Sequence, residues 1–298
     1  MTSGTGGGMH VLVAGCGWMG RALARALLAR GDRVTAVRRD VAPLEDLRAL
    51  GAATLALDLA DPASAARVPA SVEAIVACQA AGADGVEPYR AAYVRANETL
   101  LAAAGRLRLR GLVYTGSTGV FGQRDGSDVD ERTPPAPASL AAGVLVEAER
   151  LVLGAAERGV PARILRLSGL YGPGRAGILD RVRSGALALG PDGEAWMNFC
   201  HLDDAVAAAM AVLERGRDGA VYHGTDAQPA RRREVVEWIA ARLGIDPPRS
   251  GGDGIAAGRA GANRRILGER TRRELSLPLA FPTFRDGLAP LVAAARSG

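Results

Sequence analysis

The sequence predicts an α/β fold built on a doubly wound parallel sheet, and three observations support this. Short apolar runs alternate with alanine-rich segments of helical length over the first half of the chain. A glycine-rich turn separates the first run from the first helical segment. Of the 298 residues, 48% are hydrophobic, which is enough for one large α/β domain or for a core with a smaller appended lobe.

The first strand–helix–strand unit is the clearest part of this pattern. Residues 10–14 form an apolar run that ends in glycine, as a buried parallel strand does. Residues 20–30 carry leucines at helical spacing and stop at Gly31, and residues 33–37 form a second apolar run. Later strands are predicted at residues 54–57, 74–77, 111–115 and 162–167, and helices near residues 43–50, 87–105 and 143–158.

The turn after the first strand has the sequence Gly15-Cys16-Gly17-Trp18-Met19-Gly20. Three glycines at this spacing are a weak signal alone, but here they follow a strand and open a helix. Gly15 allows a tight turn, Gly17 lets the backbone approach a pyrophosphate, and Gly20 lets the helix pack closely. The helix N-terminus adds N–H groups and partial positive charge. We therefore predict a Rossmann-type domain that binds a nicotinamide dinucleotide.

The residues that follow the next strands predict how the dinucleotide lies. Where an acidic residue would accept hydrogen bonds from the ribose of NAD, the chain has Arg38-Arg39 followed by Asp40. Two guanidinium groups suit the 2′-phosphate of NADP, so we predict NADP in preference to NAD; the alternative is two solvent-facing arginines. Topology also places Asp58-Leu59 beside the adenine and Cys78-Gln79 near the nicotinamide ribose.

The second half of the chain has shorter pieces separated by glycines. We predict a flexible leader over residues 1–8, the dinucleotide-binding domain over residues 9–167, and a small α/β substrate-binding lobe over residues 168–298 that interleaves with it. Two loops could act as mobile lids: residues 122–137, rich in Gly, Asp and Pro, and the glycine-rich residues 247–262. Helices of the lobe are predicted near residues 176–184, 203–214, 231–243 and 283–296, with a strand at Val221.

Composition argues against several classes of protein. The net charge is +5, but the 37 basic residues, all arginine, are scattered among acidic ones, which disfavours nucleic-acid binding. No apolar run reaches the about 18–20 residues of a membrane helix, and the N-terminus lacks the parts of a signal peptide. The cysteines Cys16, Cys78 and Cys200 form no paired motif, and no His/Asp/Glu cluster has metal-ligand spacing. We expect a cytoplasmic protein without a bound metal.

Six segments carry a resemblance that covers nearly the whole chain. They are Val11–Gly20, Asp58-Leu59-Ala60-Asp61, Val113–Gly122, Val129–Glu131, Arg166–Gly174 and His201-Leu202-Asp203-Asp204. Together they resemble the extended short-chain dehydrogenase/reductase superfamily, in its atypical branch of NAD-dependent epimerase/dehydratase-like proteins. The motifs are specific to this superfamily and not to one substrate.

The resemblance implies three catalytic side chains. In such enzymes a Ser or Thr after the fifth strand hydrogen-bonds the reacting oxygen, and a Tyr in the next helix exchanges its proton. A Lys four residues later lowers the pKa of that Tyr and holds the ribose. The motif puts Ser117 in the first role, with Thr118 beside it. Alignment on Ala148-Glu149 puts Ala141 and Leu145 at the Tyr and Lys positions. The chain contains no lysine and its five tyrosines lie outside this helix, so the usual proton transfer is excluded in its standard form.

Another acid could replace the missing tyrosine, whose proton and electrostatic help contribute about 10²–10⁴ in rate. Tyr171 is the first candidate, although it could equally pack beneath the lobe. His201 could titrate near neutrality, but its match to the superfamily's histidine before two aspartates favours a structural role, so it ranks second. Tyr93 and Tyr89 could face either the substrate or a dimer partner.

Three functions stay open at this point. The first is an NADP(H)-dependent oxidoreductase or epimerase that acts on a small hydroxyl- or carbonyl-bearing metabolite, with Ser117 orienting the oxygen. The second is a non-redox cyclase, isomerase or lyase, for which Ala141 and Leu145 would form an apolar wall. The third is a non-catalytic regulatory protein that responds to a dinucleotide. The resemblance also favours a homodimer through the helices near residues 87–105 and 143–158.

Overall fold

The structure, a computed structural model, describes residues 8–187, 189–248 and 262–297. These residues fall into two compact units. The first unit comprises residues 8–120, 137–166 and 206–222, and the second comprises the described residues of 121–136, 167–205 and 223–297. The structure thus divides the chain differently from the predicted boundary, because the segment 206–222 returns to the first unit and the segment 121–136 leaves it.

The elements are numbered in chain order. The strands are β1 (His10–Ala14), β2 (Arg33–Arg38), β3 (Ala53–Ala56), β4 (Ala74–Ala77), β5 (Gly111–Ser117), β6 (Asp128–Val129), β7 (Ala162–Leu167), β8 (Gly169–Tyr171), β9 (Trp196–Met197), β10 (Phe199–His201), β11 (Val221–Gly224), β12 (Ala230–Arg231) and β13 (Arg265–Ile266). The helices are α1 (Trp18–Ala29), α2 (Glu45–Ala49), α3 (Val86–Tyr89), α4 (Ala96–Ala104), α5 (Leu140–Glu157), α6 (Gly177–Arg183), α7 (Leu202–Arg215), α8 (Arg232–Leu243), α9 (Glu269–Glu274) and α10 (Phe284–Ser297).

Seven strands of the described chain form one sheet, in the order β11-β7-β5-β4-β1-β2-β3. The pairs from β3 to β5 are parallel, and Ala14 at the end of β1 lies level with Val37 of β2 and Ala77 of β4. The strand order reverses between β1 and β4, the crevice where open α/β sheets bind ligands. This arrangement confirms the predicted α/β Rossmann-type fold.

The hydrophobic pattern explains these elements. All five residues of β1 and all four of β4 are buried, as expected for central strands covered on both faces. Helix α1 buries Leu23 and Leu27, one turn apart, and starts two residues before the predicted helix. The strands predicted at residues 10–14, 74–77 and 162–167 have the observed bounds.

The helical segment between β4 and β5 differs from the single helix that the sequence predicts. A π-helical turn, Arg90–Arg95, separates α3 from α4. The side chain of Asn97 donates a hydrogen bond to the carbonyl of Tyr93 inside this turn, at 2.8 Å. A side chain that enters the backbone ladder is a common cause of such irregularity, and π turns are frequent at functional sites.

The second unit is built from short pieces. Its strands pair as β8 with β10, β9 with β12, and β6 with β13. Its core contains aromatic and branched aliphatic side chains of β8, β10, α6, α8 and α10. Part of the predicted loop 122–137 is the strand β6, and most of the predicted loop 247–262 lies outside the described residues. Helix α9 was not predicted. None of the helices within the described residues is both long and apolar enough to cross a membrane.

Candidate functional site

The glycine-rich turn is held between three strands of the first unit. The N–H groups of Gly15 and Cys16 donate to the carbonyl of Val37, at 3.1 and 2.8 Å, and the N–H of Cys78 donates to the end of β1 at 2.8 Å. Gly15 has a φ of 76°, and a Cβ at this position would overlap the backbone of Gln79. Only glycine combines this conformation with so close an approach.

The other two glycines of the motif serve different purposes. A Cβ on Gly20 would lie 3.0 Å from the carbonyl oxygen of Gly15 and 3.4 Å from Val13 Cγ1, so this glycine lets α1 pack closely on β1. A Cβ on Gly17 would meet only the same carbonyl, at 3.9 Å, so packing does not require glycine there. Among the described residues, no side chain caps α1 and its first turn holds no acidic residue. The open space and the uncapped N–H groups fit the pyrophosphate of NAD(P).

Two arginines lie at the end of β2, the strand beside the turn: Arg38 is its last residue and Arg39 follows it. Arg38 is half-buried and Arg39 is exposed, and neither guanidinium forms an ion pair or hydrogen bond with another described residue. Arg39 Nη2 approaches Gly82, in the loop after β4, to 3.9 Å from where a Cβ would be. The carboxylate of Asp40 accepts a hydrogen bond from the N–H of Ala42, at 3.0 Å. Two cations without a carboxylate partner therefore lie at the edge where the sequence predicts a 2′-phosphate.

Two nearby arginines on α1 share one carboxylate partner. Arg21 forms an ion pair with Asp46 of α2 at 2.9 Å, and Arg25 contacts the same carboxylate. The hydrogen bond from Arg21 is the main reason that the pKa of Asp46 lies below its usual value. Arg38 and Arg39 differ from these residues in having no such partner.

The remaining predicted cofactor residues follow β3 and β4. Asp58 is exposed and accepts a hydrogen bond from Ala60 N–H at 3.0 Å, while Leu59 is buried. Burial raises the thiol pKa of Cys16 and of Cys78 to about 12, so neither is a nucleophile at neutral pH. The predicted contacts of Asp58-Leu59 with adenine and of Cys78 with the nicotinamide ribose stay predictions.

Gln79, by contrast, belongs to a buried polar network. Its side chain is directly beside the glycine-rich turn and donates from Nε2 to Asn97 Oδ1 at 3.3 Å. Asn97, which is 1% exposed, donates in turn to the carbonyl of Tyr93. The sequence analysis missed Asn97, although a polar residue on the apolar face of α4 is a usable signal.

Ser117 ends β5, in the same unit as the turn. Its Oγ accepts a hydrogen bond from the N–H of Gly119 at 3.0 Å, which leaves its O–H proton available for donation. Thr118 beside it is buried. Leu145 of α5 packs against this turn, with Cδ1 3.7 Å from where a Cβ of Gly119 would lie. An apolar side chain therefore lies beside Ser117 at the position where the resemblance expects an amine.

A buried ion pair joins α5 to β7. Glu149 accepts two hydrogen bonds from Arg166 of β7, each at 2.8 Å, and both side chains are 3% exposed. Glu149 Oε1 also lies 3.3 Å from where a Cβ of Gly116 would be, next to Ser117. The residue used to anchor the alignment is therefore tied to β5 and β7.

Tyr171 and His201 lie together in the second unit. Their rings are edge to face, with centroids 5.3 Å apart, and the ring of His201 also stacks 3.7 Å from that of Phe281. The Tyr171 hydroxyl packs against Gly287 and finds no hydrogen-bond partner in the described residues. Burial raises the pKa of Tyr171 and lowers that of His201, whose Nδ1 accepts from the N–H of Asp203 at 3.3 Å. These surroundings favour packing roles for both residues.

Tyr89 and Tyr93 lie in the first unit, on the helical segment after β4. Their rings contact each other edge to face, with centroids 5.3 Å apart. The hydroxyl of Tyr93 accepts a hydrogen bond from the N–H of Ala81 at 3.4 Å, so this tyrosine reaches the loop that carries Gln79. Its placement beside the predicted cofactor crevice is compatible with the expectation that it faces the substrate.

The chain is similar in sequence to a known protein family and to individual members of known function or name over most of its length. The profile of the NAD dependent epimerase/dehydratase family matches residues 11–223. Protein YeeZ of Escherichia coli K12 is 31% identical over 279 residues, which cover 91% of this chain and 96% of that one. The 3-diazoavenalumate denitrifying reductase of a Streptomyces species is 32% identical over 305 residues, covering 94% and 99% of the two chains.

A solved structure agrees with these sequence matches. The dTDP-glucose 4,6-dehydratase DesIV of Streptomyces venezuelae, with NAD and TYD bound, superposes with a TM-score of 0.82 and 25% identity over 97% of this chain and 98% of that one. The matches confirm the superfamily resemblance and the expectation of an NAD(P)-dependent enzyme. The chain belongs to the NAD-dependent epimerase/dehydratase family.

Proposed function

We propose that the protein is an NADPH-dependent reductase of a small electrophilic metabolite, such as a carbonyl compound. The observation that carries this proposal is the pair of unneutralised arginines, Arg38 and Arg39, next to a turn whose open space fits a pyrophosphate. Guanidinium groups bind phosphate strongly because their N–H donors match its oxygens and their charge is permanent. An edge with two guanidinium groups that pair with no described carboxylate suits the 2′-phosphate that distinguishes NADP from NAD.

The chain's own residues then have separate tasks. The N–H groups at the start of α1 hold the pyrophosphate, while Arg38 and Arg39 hold the 2′-phosphate. The cofactor supplies a hydride when it is bound. Ser117 already accepts one hydrogen bond from Gly119, so its O–H donates to the oxygen or nitrogen on which negative charge develops.

Proton transfer is where this chain departs from the superfamily. Ala141 and Leu145 carry no ionisable group, and Leu145 packs beside Ser117. The buried Tyr171 is a poor donor because burial raises its pKa. We infer that hydride transfer does not depend on an enzyme tyrosine and that the proton, where one is needed, comes from solvent or from the substrate itself.

The relatives favour reduction over the non-redox alternative. The name of the 3-diazoavenalumate denitrifying reductase describes a reduction, and this protein matches our chain over nearly its full length. An apolar wall of Ala141 and Leu145 would also suit a cyclase, isomerase or lyase. Turnover with the cofactor unchanged would favour that second function, whereas a substrate-dependent loss of NADPH absorbance supports ours.

The test of cofactor choice is calorimetric titration of nucleotide-free protein with NADPH and NADH. We expect NADPH to bind more tightly, and Arg38→Ala with Arg39→Ala to weaken NADPH about 10- to 100-fold, since hydrogen bonds to charged groups contribute about 1.5–3 kcal/mol. NADH affinity should change little. The matched control is Arg21→Ala with Arg25→Ala, which removes two arginines that already have an ion-pair partner in Asp46.

Other results of this titration would contradict the proposed NADPH-dependent function. Tighter binding of NADH by the wild type would assign NAD(H) instead of NADP(H), and equal affinity for the two dinucleotides would refute the 2′-phosphate site. Binding of neither would remove the reductase proposal and favour a non-catalytic role. A similar loss in the Arg21/Arg25 control would show that general surface charge, and not the edge formed by Arg38 and Arg39, attracts the phosphate.

We also propose that the enzyme is a cytoplasmic homodimer. All three cysteines are free, as is usual in the reducing compartment that holds the NADPH pool.

On α5, the residues Glu147, Leu151 and Gly154 line a shallow groove of about 240 Å³. Arg150 and Arg158 line the same groove, and the proposed dimer places α5 of a second copy against it. Sedimentation velocity should give the mass of a dimer for the wild type and of a monomer for Gly154→Glu; a monomeric wild type would refute this.

A further inference from the structure

Gln79 presents a buried hydrogen-bond acceptor that nothing in the described chain satisfies. Its side chain is 9% exposed, and Oε1 is buried without a donor. Buried acceptors are almost always paired, because leaving one unpaired costs about 1–3 kcal/mol. The Oε1 of Gln79 therefore needs a donor from outside the described residues.

The surrounding network fixes which end of the amide is the acceptor. The carbonyl of Tyr93 can only accept, so Asn97 must turn its Nδ2 toward it, at 2.8 Å. Asn97 Oδ1 then faces Gln79 and must receive a donor, which is Nε2 of Gln79 at 3.3 Å. This chain of constraints excludes the flipped amide and leaves Gln79 Oε1 as an acceptor.

The location of Gln79 narrows the choice of donor. It follows β4, and its backbone is the surface against which Gly15 of the dinucleotide turn packs. In a doubly wound sheet the adenine half of a dinucleotide lies over the strands on the β2 side, and the nicotinamide half crosses to the β4 side. The hydrogen-bond donors of that half are the hydroxyls of its ribose and the carboxamide NH₂ of its base.

We propose that Gln79 is a positioning residue that holds the nicotinamide ribose by accepting a hydrogen bond from one of its hydroxyls. The resemblance assigns the holding of this ribose to a lysine, and this chain has none. Gln79, fixed by Asn97, takes over that contact as an acceptor without supplying a charge. The inference rests on the proposed function, because it needs a dinucleotide in the crevice.

The test compares two probes that differ in the nicotinamide half. NADPH contains the nicotinamide ribose, whereas adenosine 2′,5′-bisphosphate contains the 2′-phosphate and lacks that half entirely. Gln79→Met keeps the volume of the side chain and removes the acceptor. We expect it to weaken NADPH binding by about 5- to 15-fold, the loss of one hydrogen bond, and to leave the binding of the bisphosphate within about twofold of wild type.

Controls and outcomes separate this inference from the proposed function. Gln228→Met makes the same replacement at an exposed glutamine and should change neither affinity. If wild type binds neither probe, the proposed function fails. If wild type binds both and Gln79→Met matches it, the ribose contact is overturned and the NADPH assignment stands. An equal loss for both probes would show that Gln79 supports only the shape of the turn, which also overturns the proposal.

Discussion

Glu149→Gln should lower the free energy of unfolding by about 3–5 kcal/mol, the usual cost of leaving one partner of a buried ion pair uncompensated. Glu149 and Arg166 are each only 3% exposed and share two hydrogen bonds of 2.8 Å. Glutamine has nearly the same volume, so the loss is electrostatic: the guanidinium of Arg166 stays buried without a counter-charge. Urea unfolding of wild type and variant at neutral pH measures the difference in unfolding free energy. The dependence of that free energy on urea concentration should be the same for both proteins, as two-state unfolding requires.

Helix α5 offers a matched control two residues before Glu149. Glu147 binds Arg90 in the same two-pronged manner, at 2.8 and 2.6 Å, but these side chains are 40% and 41% exposed. Water screens that pair, so Glu147→Gln should lower the free energy of unfolding far less than Glu149→Gln does. Equal losses at the two positions would show that helix propensity, and not burial of the charge, determines the effect.

The dinucleotide turn could be predicted from sequence because its requirements are local. Gly15, Gly17 and Gly20 lie within six residues, and the strand before them and the helix after them follow from hydrophobic spacing alone. The fully buried runs of β1 and β4 were predicted for the same reason. Their side chains are buried on both faces of the sheet, so these strands appear in the sequence as nearly continuous apolar runs.

The polar contacts of the site depend on residues far apart in the chain, and sequence could not supply them. Gln79 and Asn97 are 18 residues apart in the chain, and their hydrogen bond joins the loop after β4 to α4, which follows a π-helical turn. Tyr171 was the first candidate for a proton donor because of its motif. Its ring contacts with Phe199 and His201, and its tight fit against Gly287, arise from segments up to about a hundred residues away.

Asp226→Asn should make the protein more stable at alkaline pH, by about 3–5 kcal/mol near pH 9. Asp226 is 3% exposed, and no described residue donates a hydrogen bond of ordinary geometry to either carboxylate oxygen. Burial raises its pKa to about 8, while the main chain at Phe199 and the guanidinium of Arg272 oppose this shift only in part. The nearby carboxyl of Asp204 raises the pKa further.

The sign of the pH dependence follows from the two protonation states. In the unfolded chain an aspartate has a pKa of about 3.9 and releases its proton above that pH. The folded protein keeps the proton on Asp226 until about pH 8. Folding therefore binds a proton between these values, so the contribution of Asp226 to stability falls as the pH rises from about 4 to about 8. Asparagine is neutral at every pH, so Asp226→Asn removes this contribution to the pH dependence of the unfolding free energy.

Unfolding free energies of wild type and Asp226→Asn, measured from about pH 5 to pH 9, should therefore diverge as the pH rises. Asp203→Asn is the control, because it removes a carboxylate from the same unit whose side chain is 65% exposed. The unfolding free energy of that variant should change with pH in the same way as that of the wild type. If Asp226→Asn also runs parallel, its carboxylate is ionised in the folded protein and has a donor that stabilises the charge, since an unpartnered carboxylate at this depth cannot keep the pKa of the unfolded chain.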